Sequence, residues 1–428
     1  MKRLSGNLLL ILITLSSSAQ STSDIINERE VQRIENTLSA DNMEGRKAFT
    51  SGSEKAAVFI SNEFKKIGLQ TFGGSNSYNQ NFTIVQPKNP VISASFESKL
   101  IDPENIIVFT CLPDLNITAK SGFKKVYIKH AAAFIKDVSE YVKLKENLLV
   151  FVDGSCAADF SRLSNRKQYL FKSEKSVVFV LGNYETDNFI INAKYEITED
   201  QAANVIGVLP GKSKINEYVI FSAHYDHLGT GKAINNDSIY NGANDDASGV
   251  TAVISLAKYY KAANNNERTL IFAAFTAEEI GGYGSQYFSR RLDPEKAVAM
   301  FNIEMIGTES TWGKNSAYIT GFEQSDMGKI MQQNLQGSKF AFYPDPYPEQ
   351  DLFYRSDNAT LARLGVPAHT ISTSKMDNEP NYHKLSDEVK TLDIKNMTNV
   401  IQSIVISAES IINSRDTPLR VKVNQLTR

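Results

Sequence analysis

The stretch RTLIFAAFTAEEIGGYGSQ, residues 268–286, decides the reading of this chain. Seven apolar or small residues end at Phe275, and two adjacent carboxylates, Glu278 and Glu279, follow at once. An apolar run of that length between polar flanks reads as a buried strand. Two neighbouring carboxylates at a buried strand end need cations or protons close by. Whatever supplies them must lie elsewhere in the sequence.

Around this stretch, from 203 onward, apolar runs alternate with helical patterns. ANVIGVLPG, EYVIFSAHYDHLG, AVAMFNIEMIG and VPAHTIST read as strands, and DASGVTAVISLAKYYKAANNN and DNATLARLG as helices. Such alternation predicts an α/β fold: a mostly parallel mixed sheet flanked by helices on both faces. Sites in these sheets lie at the carboxyl ends of the strands. The acids and histidines collect there: His224 and Asp226, Asp245 and Asp246, Glu278 and Glu279, Glu304, and His383. Two histidines among several carboxylates suit a divalent metal, zinc above all. Five ligands, one of them able to bridge, suit a pair of ions roughly 3.5–4 Å apart. One glutamate of the 278–279 pair can then ligate while the other serves as a general base.

The motifs SAHYDHLG, NGANDDASGV, FAAFTAEEIGGYGS, NIEMIG, FYRSDN and NYHKLSD resemble, in order and spacing, the M28 family of zinc peptidases, the co-catalytic aminopeptidases. The resemblance covers about residues 24–80 and 203–410. It implies two Zn2+ per chain and a peptide substrate. It implies that Asp245 bridges the ions, that His224 and Glu304 complete one site, and that Glu279 and His383 complete the other. Glu278 would be the general base, and Asp226 would receive the spare N–H of His224. The Asp245–Asp246 bond would be cis. Two positions depart from the pattern. Glu304 stands where the family usually has aspartate and related co-catalytic carboxypeptidases often have glutamate, and Asn358 stands where the family commonly has histidine.

The expected division is a signal peptide at 1–19, an N-terminal helical part of the catalytic domain at 20–80, an inserted β-rich, protease-associated-like domain at 81–202, and the catalytic zinc-peptidase domain at 203–428. The leader rests on Lys2 and Arg3, the run Leu8 to Leu15, and the small residues through Ala19. Its apolar run is far short of the ~20 residues that span a bilayer. The chain is therefore expected to be exported, periplasmic or extracellular, with no membrane span. A net charge of -2 over 428 residues gives no nucleic-acid footprint. Oligomeric state is left open.

Other residues have plainer readings. Cys111 and Cys156 either pair or remain as core thiols. His227 is expected to be structural rather than a ligand, His369 a satisfied core histidine, and His130 exposed. Asp357 is read as orienting the site or capping the helix after it. The segment 343–357, rich in aromatics and proline, is read as a wall of the substrate pocket. The function expected is an exopeptidase, most simply an aminopeptidase. The alternatives are a carboxypeptidase or dipeptidase, with Arg355 or Lys384 holding a free carboxylate, a glutaminyl-cyclase-like transferase, and a non-catalytic binding protein.

Overall fold

A computed structural model describes residues 21–144, 146–164 and 169–426. The leader expected at 1–19 lies outside the described residues.

Two helices open the described chain. Glu28–Leu38 starts at Asn27, whose side chain accepts from the Glu30 N–H at 3.1 Å. Ser51–Ile67 ends at Gly68, whose φ of 78° makes the left-handed turn that glycine favours. Between them the DNMEGR segment forms 3-10 turns.

The main sheet is mixed. Its order runs Ala341–Pro344, Ser316–Ile319, Ala368–Ser372, Ala297–Ile303, Lys214–His224, Arg268–Phe275, Phe189–Leu209, Asn79–Phe96 and Lys99–Ile101. The four central strands from Ala368–Ser372 to Arg268–Phe275 are parallel, and antiparallel pairs flank them. Arg268–Phe275 is buried at every position, as its continuous apolar run predicts. One face packs on the helices Ser248–Ala263 and Ile394–Ile412 together with the N-terminal pair. The other face packs on Tyr283–Ser289 and Asn358–Ala362 through Phe275, Phe288 and Leu361.

Asn79–Phe96 pairs antiparallel with residues 189–205 of Phe189–Leu209, with one register shift between Lys194 and Glu196, so both strands run through positions 81 and 202. Between them lies a four-stranded sheet, Ile106–Phe109, Val177–Leu181, Leu148–Val152 and Lys124–Ile128, in that order. Its last three strands are parallel, and the helices Phe134–Lys143 and Ala157–Ser164 cover it. Parallel strands need crossover helices, which the β-rich reading of this segment did not include. Cys111 and Cys156 are both free thiols. No helix among the described residues is long and apolar enough to cross a membrane.

Candidate metal centre

The carboxyl edge of the parallel strands carries the site. His224 is the last residue of its strand, Glu304 directly follows Ile303, and Glu278 lies three residues past Phe275. Asp245 and Asp246 lie in the turn that enters the helix Ser248–Ala263, and the bond between them is cis, as the resemblance implies. His383 comes from the loop after Ala368–Ser372. Ala277, Met305 and His383 have φ values of 58°, 52° and 56°. Left-handed backbone costs a non-glycine residue about 1–3 kcal/mol and tends to gather at functional sites.

These elements bring together His224, Asp245 and Glu304 as one group, and His227, Asp245 and Glu279 as a second. Asp245 belongs to both. His383 Nε2 lies 3.2 Å from Asp245 Oδ2 and 3.2 Å from Glu279 Oε2, so it joins the second group. All five residues expected as ligands therefore converge, with the glutamate side chain of Glu304 reaching the first group. Glu278 belongs to neither group.

The donor atoms suit a metal. His224 Nε2, Asp245 Oδ1, Glu279 Oε1, Glu304 Oε2 and both ring nitrogens of His227 are buried and make no well-directed hydrogen bond, although His227 Nδ1 and Glu279 Oε1 are 2.7 Å apart and His224 Nε2 and Asp245 Oδ1 3.2 Å apart. Unsatisfied buried imidazole and carboxylate atoms facing one another are costly unless a cation fills the space between them. Nitrogen and oxygen donors in this mixture fit zinc.

Protonation follows the same logic. Burial pushes the Glu278 carboxyl well above its ordinary range and Glu304 up to about 7. Burial also raises Asp245, but the imidazoles of His224, His383 and His227 outweigh it and hold that carboxyl well below the usual range. Burial alone would lower His383, yet Asp245 and Glu279 raise it to about 10. Carboxylates outnumber imidazoles here, and bound cations would take over the role of those protons.

The supporting residues are only partly those expected. His224 Nδ1 lies 3.0 Å from the Asp226 backbone carbonyl and 3.9 Å from its carboxylate. The expected histidine–carboxylate pairing is corrected accordingly, because the Asp226 oxygens face the amides of Glu278 and Glu279 at 3.0 and 3.4 Å. Asp226 thus fixes the turn that aims both glutamates. Asp246 accepts from the backbone N–H groups of Gly249, Met305 and His224 at 3.0, 3.1 and 3.3 Å, tying three site segments together. Asp357 is buried and makes no side-chain cap, with both carboxylate oxygens lacking a partner, which removes the capping alternative. Burial raises its pKa to about 6.

Three residues carry more than the sequence suggested. His227 does not stand apart from the site: its Nδ1 is 2.7 Å from Glu279 Oε1 and 3.8 Å from Asp245 Oδ2. Asp387 accepts from the backbone N–H of Asn244 at 2.8 Å and of Asp245 at 3.0 Å, holding the shared carboxylate in place. It stands four residues after His383 in the NYHKLSD motif, which is the signal that could have found it. Arg46 is fully buried and donates to the carbonyls of Tyr225, Leu38, Asn241 and Gly242 at 2.6–2.8 Å.

His369 is a satisfied core histidine, bonded to Ser325 and the Thr320 carbonyl, and His130 is exposed. Asn358 ties its helix to the adjacent strand through the Ala368 carbonyl and Thr370, a packing role. In the 343–357 segment, Tyr343 stacks on Trp312, and Arg355 reaches the Tyr382 hydroxyl at 3.5 Å. Tyr382 in turn stacks on His383. Lys384 is turned to the Pro380 carbonyl.

A helix-flanked sheet that gathers histidines and carboxylates at its carboxyl edge defines a metal-binding α/β protein. Residues 204–407 match the model of peptidase family M28. The chain is 25% identical over 265 residues to a vacuolar membrane protease of Saccharomyces cerevisiae, covering 61% of this chain and 24% of that one. It is 30% identical over 123 residues to aminopeptidase YwaD of Bacillus subtilis, covering 28% of this chain and 24% of that one. The chain spans about a quarter of the length of these curated relatives. The aminopeptidase from Aneurinibacillus sp. strain AM-1 shares the fold, with a TM-score of 0.53 at 18% identity over 91% of this chain and 96% of that one. So does a zinc aminopeptidase from Bacillus subtilis, with a TM-score of 0.52 at 14% identity over 92% and 97%. Residues 204–407 are thus a peptidase family M28 domain.

Proposed function

We propose that the chain is an exported, zinc-dependent exopeptidase, an aminopeptidase holding two Zn2+ per chain. The observation that carries this reading is the pair of ligand groups sharing Asp245, with the Glu278 carboxyl beside them and in neither. His224 and Glu304 would hold one ion, Glu279 and His383 the other, with Asp245 common to both. A zinc pair supplies Lewis acidity to the scissile carbonyl and lowers the pKa of an attacking water. The Glu278 carboxylate takes a proton from that water and returns it to the amine nitrogen as the peptide bond breaks. Asp226 aims Glu278 by holding its backbone N–H. The free α-amine of the substrate would sit against the site's carboxylates, confining cleavage to the chain end.

The names of the Bacillus subtilis relative and of the solved structures support an aminopeptidase. Export rests on the basic start and apolar run before Ala19. Glu304 favours a carboxypeptidase or dipeptidase as the second reading. Convergence of all five ligand positions weighs against a glutaminyl-cyclase-like transferase and against a protein that only binds. The test is cleavage of one short peptide by the zinc-loaded chain in three forms: both ends free, N-acetylated, and C-amidated. Loss of cleavage on acetylation alone is expected. Loss on amidation alone would establish the second reading instead.

A further inference from the structure

Beside the second ligand group lies a cavity of about 420 Å³, at the small end of ligand pockets. Three separated segments build it. Lys47 and Phe49 come from the turn after Arg46, His227 and Glu279 from the metal centre, and Lys88 and Tyr169 from the segment between 79 and 209. Phe49 and Tyr169 stack at 6.2 Å between ring centroids, which joins the first segment to the third. The backbone of Lys47 pairs with that of His227, and the Lys47 stem lies over Gly229, where a Cβ would meet it at 2.6 Å. Lys47 is therefore held beside the metal centre by backbone pairing and by a glycine that leaves room for its stem.

The charges of this wall are unbalanced. Lys47 and Lys88 are exposed, and neither forms an ion pair among the described residues. The surrounding acids are bonded to other groups. Asp200 accepts from the Gln86 amide at 2.9 Å, and Glu196, opposite Lys88 across the strand pair, accepts from Asn89 at 2.8 Å. Glu44 pairs with Lys55, Asp226 holds two backbone amides, and Glu279 faces the metal group. Of the acids lining the cavity Asp226 is fully buried and Glu279 faces the metal group, so two exposed lysines stand against the one carboxylate of Asp200, a balance that repels an ammonium and attracts a carboxylate.

We propose that this cavity seats the part of the substrate on the leaving-group side of the scissile bond, and that Lys47 and Lys88 select a carboxylate there. The proposal rests on the aminopeptidase reading, which places the substrate's α-amine against the opposing carboxylates. The substrate class is then a short peptide with a negative charge just after the cleaved bond. That charge comes either from the free C-terminus of a dipeptide or from an acidic side chain.

Four peptides separate the two sources: Leu-Ala, Leu-Ala-amide, Leu-Glu-amide and Leu-Gln-amide, each tested with the zinc-loaded full chain. A higher kcat/KM for Leu-Ala than for its amide identifies the C-terminal carboxylate, and a higher value for Leu-Glu-amide than for Leu-Gln-amide identifies the side chain. An advantage of about fivefold, shrinking as salt rises, is expected from partly exposed charge pairs. The double variant Lys47→Met, Lys88→Met should erase that advantage, and Lys47→Arg, Lys88→Arg should keep it. Equal values within both peptide pairs, or an advantage that survives the methionine variant, would overturn the proposal. Calorimetric titration of the same peptides into zinc-loaded Glu278→Gln reads the preference without turnover. Failure to cleave any peptide would thus count against the peptidase reading, while the titration still decides the role of the lysines.

Discussion

At the scale of single residues, the chemistry rests on Glu278, which lies beside both ligand groups and in neither. Glu278→Gln keeps the shape and removes the basic carboxylate. Loss of kcat by about 100- to 10,000-fold is expected, with zinc content unchanged by elemental analysis. A second buried acid, on the helix Glu28–Leu38, gives a pH signature of its own. Glu35 is fully buried, its Oε2 accepts from Thr251 at 2.9 Å, and its Oε1 has no partner. Burial raises its pKa from 4.5 to about 8. The folded chain then keeps a proton that the unfolded chain loses, so this contribution to stability falls as pH rises from 4.5 towards 8 and levels off above. Glu35→Gln removes the slope. Its Tm should gain on the wild type between pH 5 and pH 8, as read by thermal melts across that range. That His224, Asp245, Glu278, Glu279, Glu304 and His383 would gather was legible from their residue types at strand ends and helix starts and from the family resemblance. His227 was not, because the direction of one ring depends on packing that no spacing records. Asp226 was assigned to the site correctly, but its carboxylate turned to the amides of a turn 52 positions away.

At the scale of elements, the short turn Asp41–Arg46 holds the site from beneath. The Arg46 guanidinium joins the end of one helix, through Leu38, to the loops that carry His224 and Asp245. Arg46→Met would leave those buried carbonyls without a donor. A loss of about 3–5 kcal/mol is expected, measurable by urea unfolding, and a loss below 1 kcal/mol would contradict the role given to this residue. Sequence patterning identified the N-terminal part as helical, and the structure places Asn27, Thr50 and Gly68 at the ends of its two longer helices. A turn without apolar periodicity gives no sign that one arginine bonds to carbonyls up to 196 positions away. The helices of the inserted segment were missed for a related reason: its short strands gave the stronger signal, and Phe134–Lys143 lies between them.

At the scale of the molecule, the parallel centre of the sheet follows from uninterrupted apolar strands alternating with helices, and the sequence carried that much. Strand order it did not carry, because pairing between distant strands is set by the packing of whole faces. Neither did it show that the strands of residues 79–96 and 189–209 form one ribbon joining the main sheet to the inserted segment. That ribbon makes a separate prediction. Replacing residues 89–195 by an Asn-Gly turn would join Lys88 to its cross-strand partner Glu196. The remaining chain should melt cooperatively and bind zinc like the full chain. It should also show a raised KM, because the Tyr169 wall of the cavity is gone. Loss of cooperative melting would show that the inserted segment is required for the main fold. The central claim is that Asp245 is shared between two metal sites. Calorimetric titration of the metal-free chain with zinc tests it most directly. The account predicts two ions per chain, falling to one in His224→Ala; a single ion in the wild type, or a stoichiometry indifferent to His224, would contradict it.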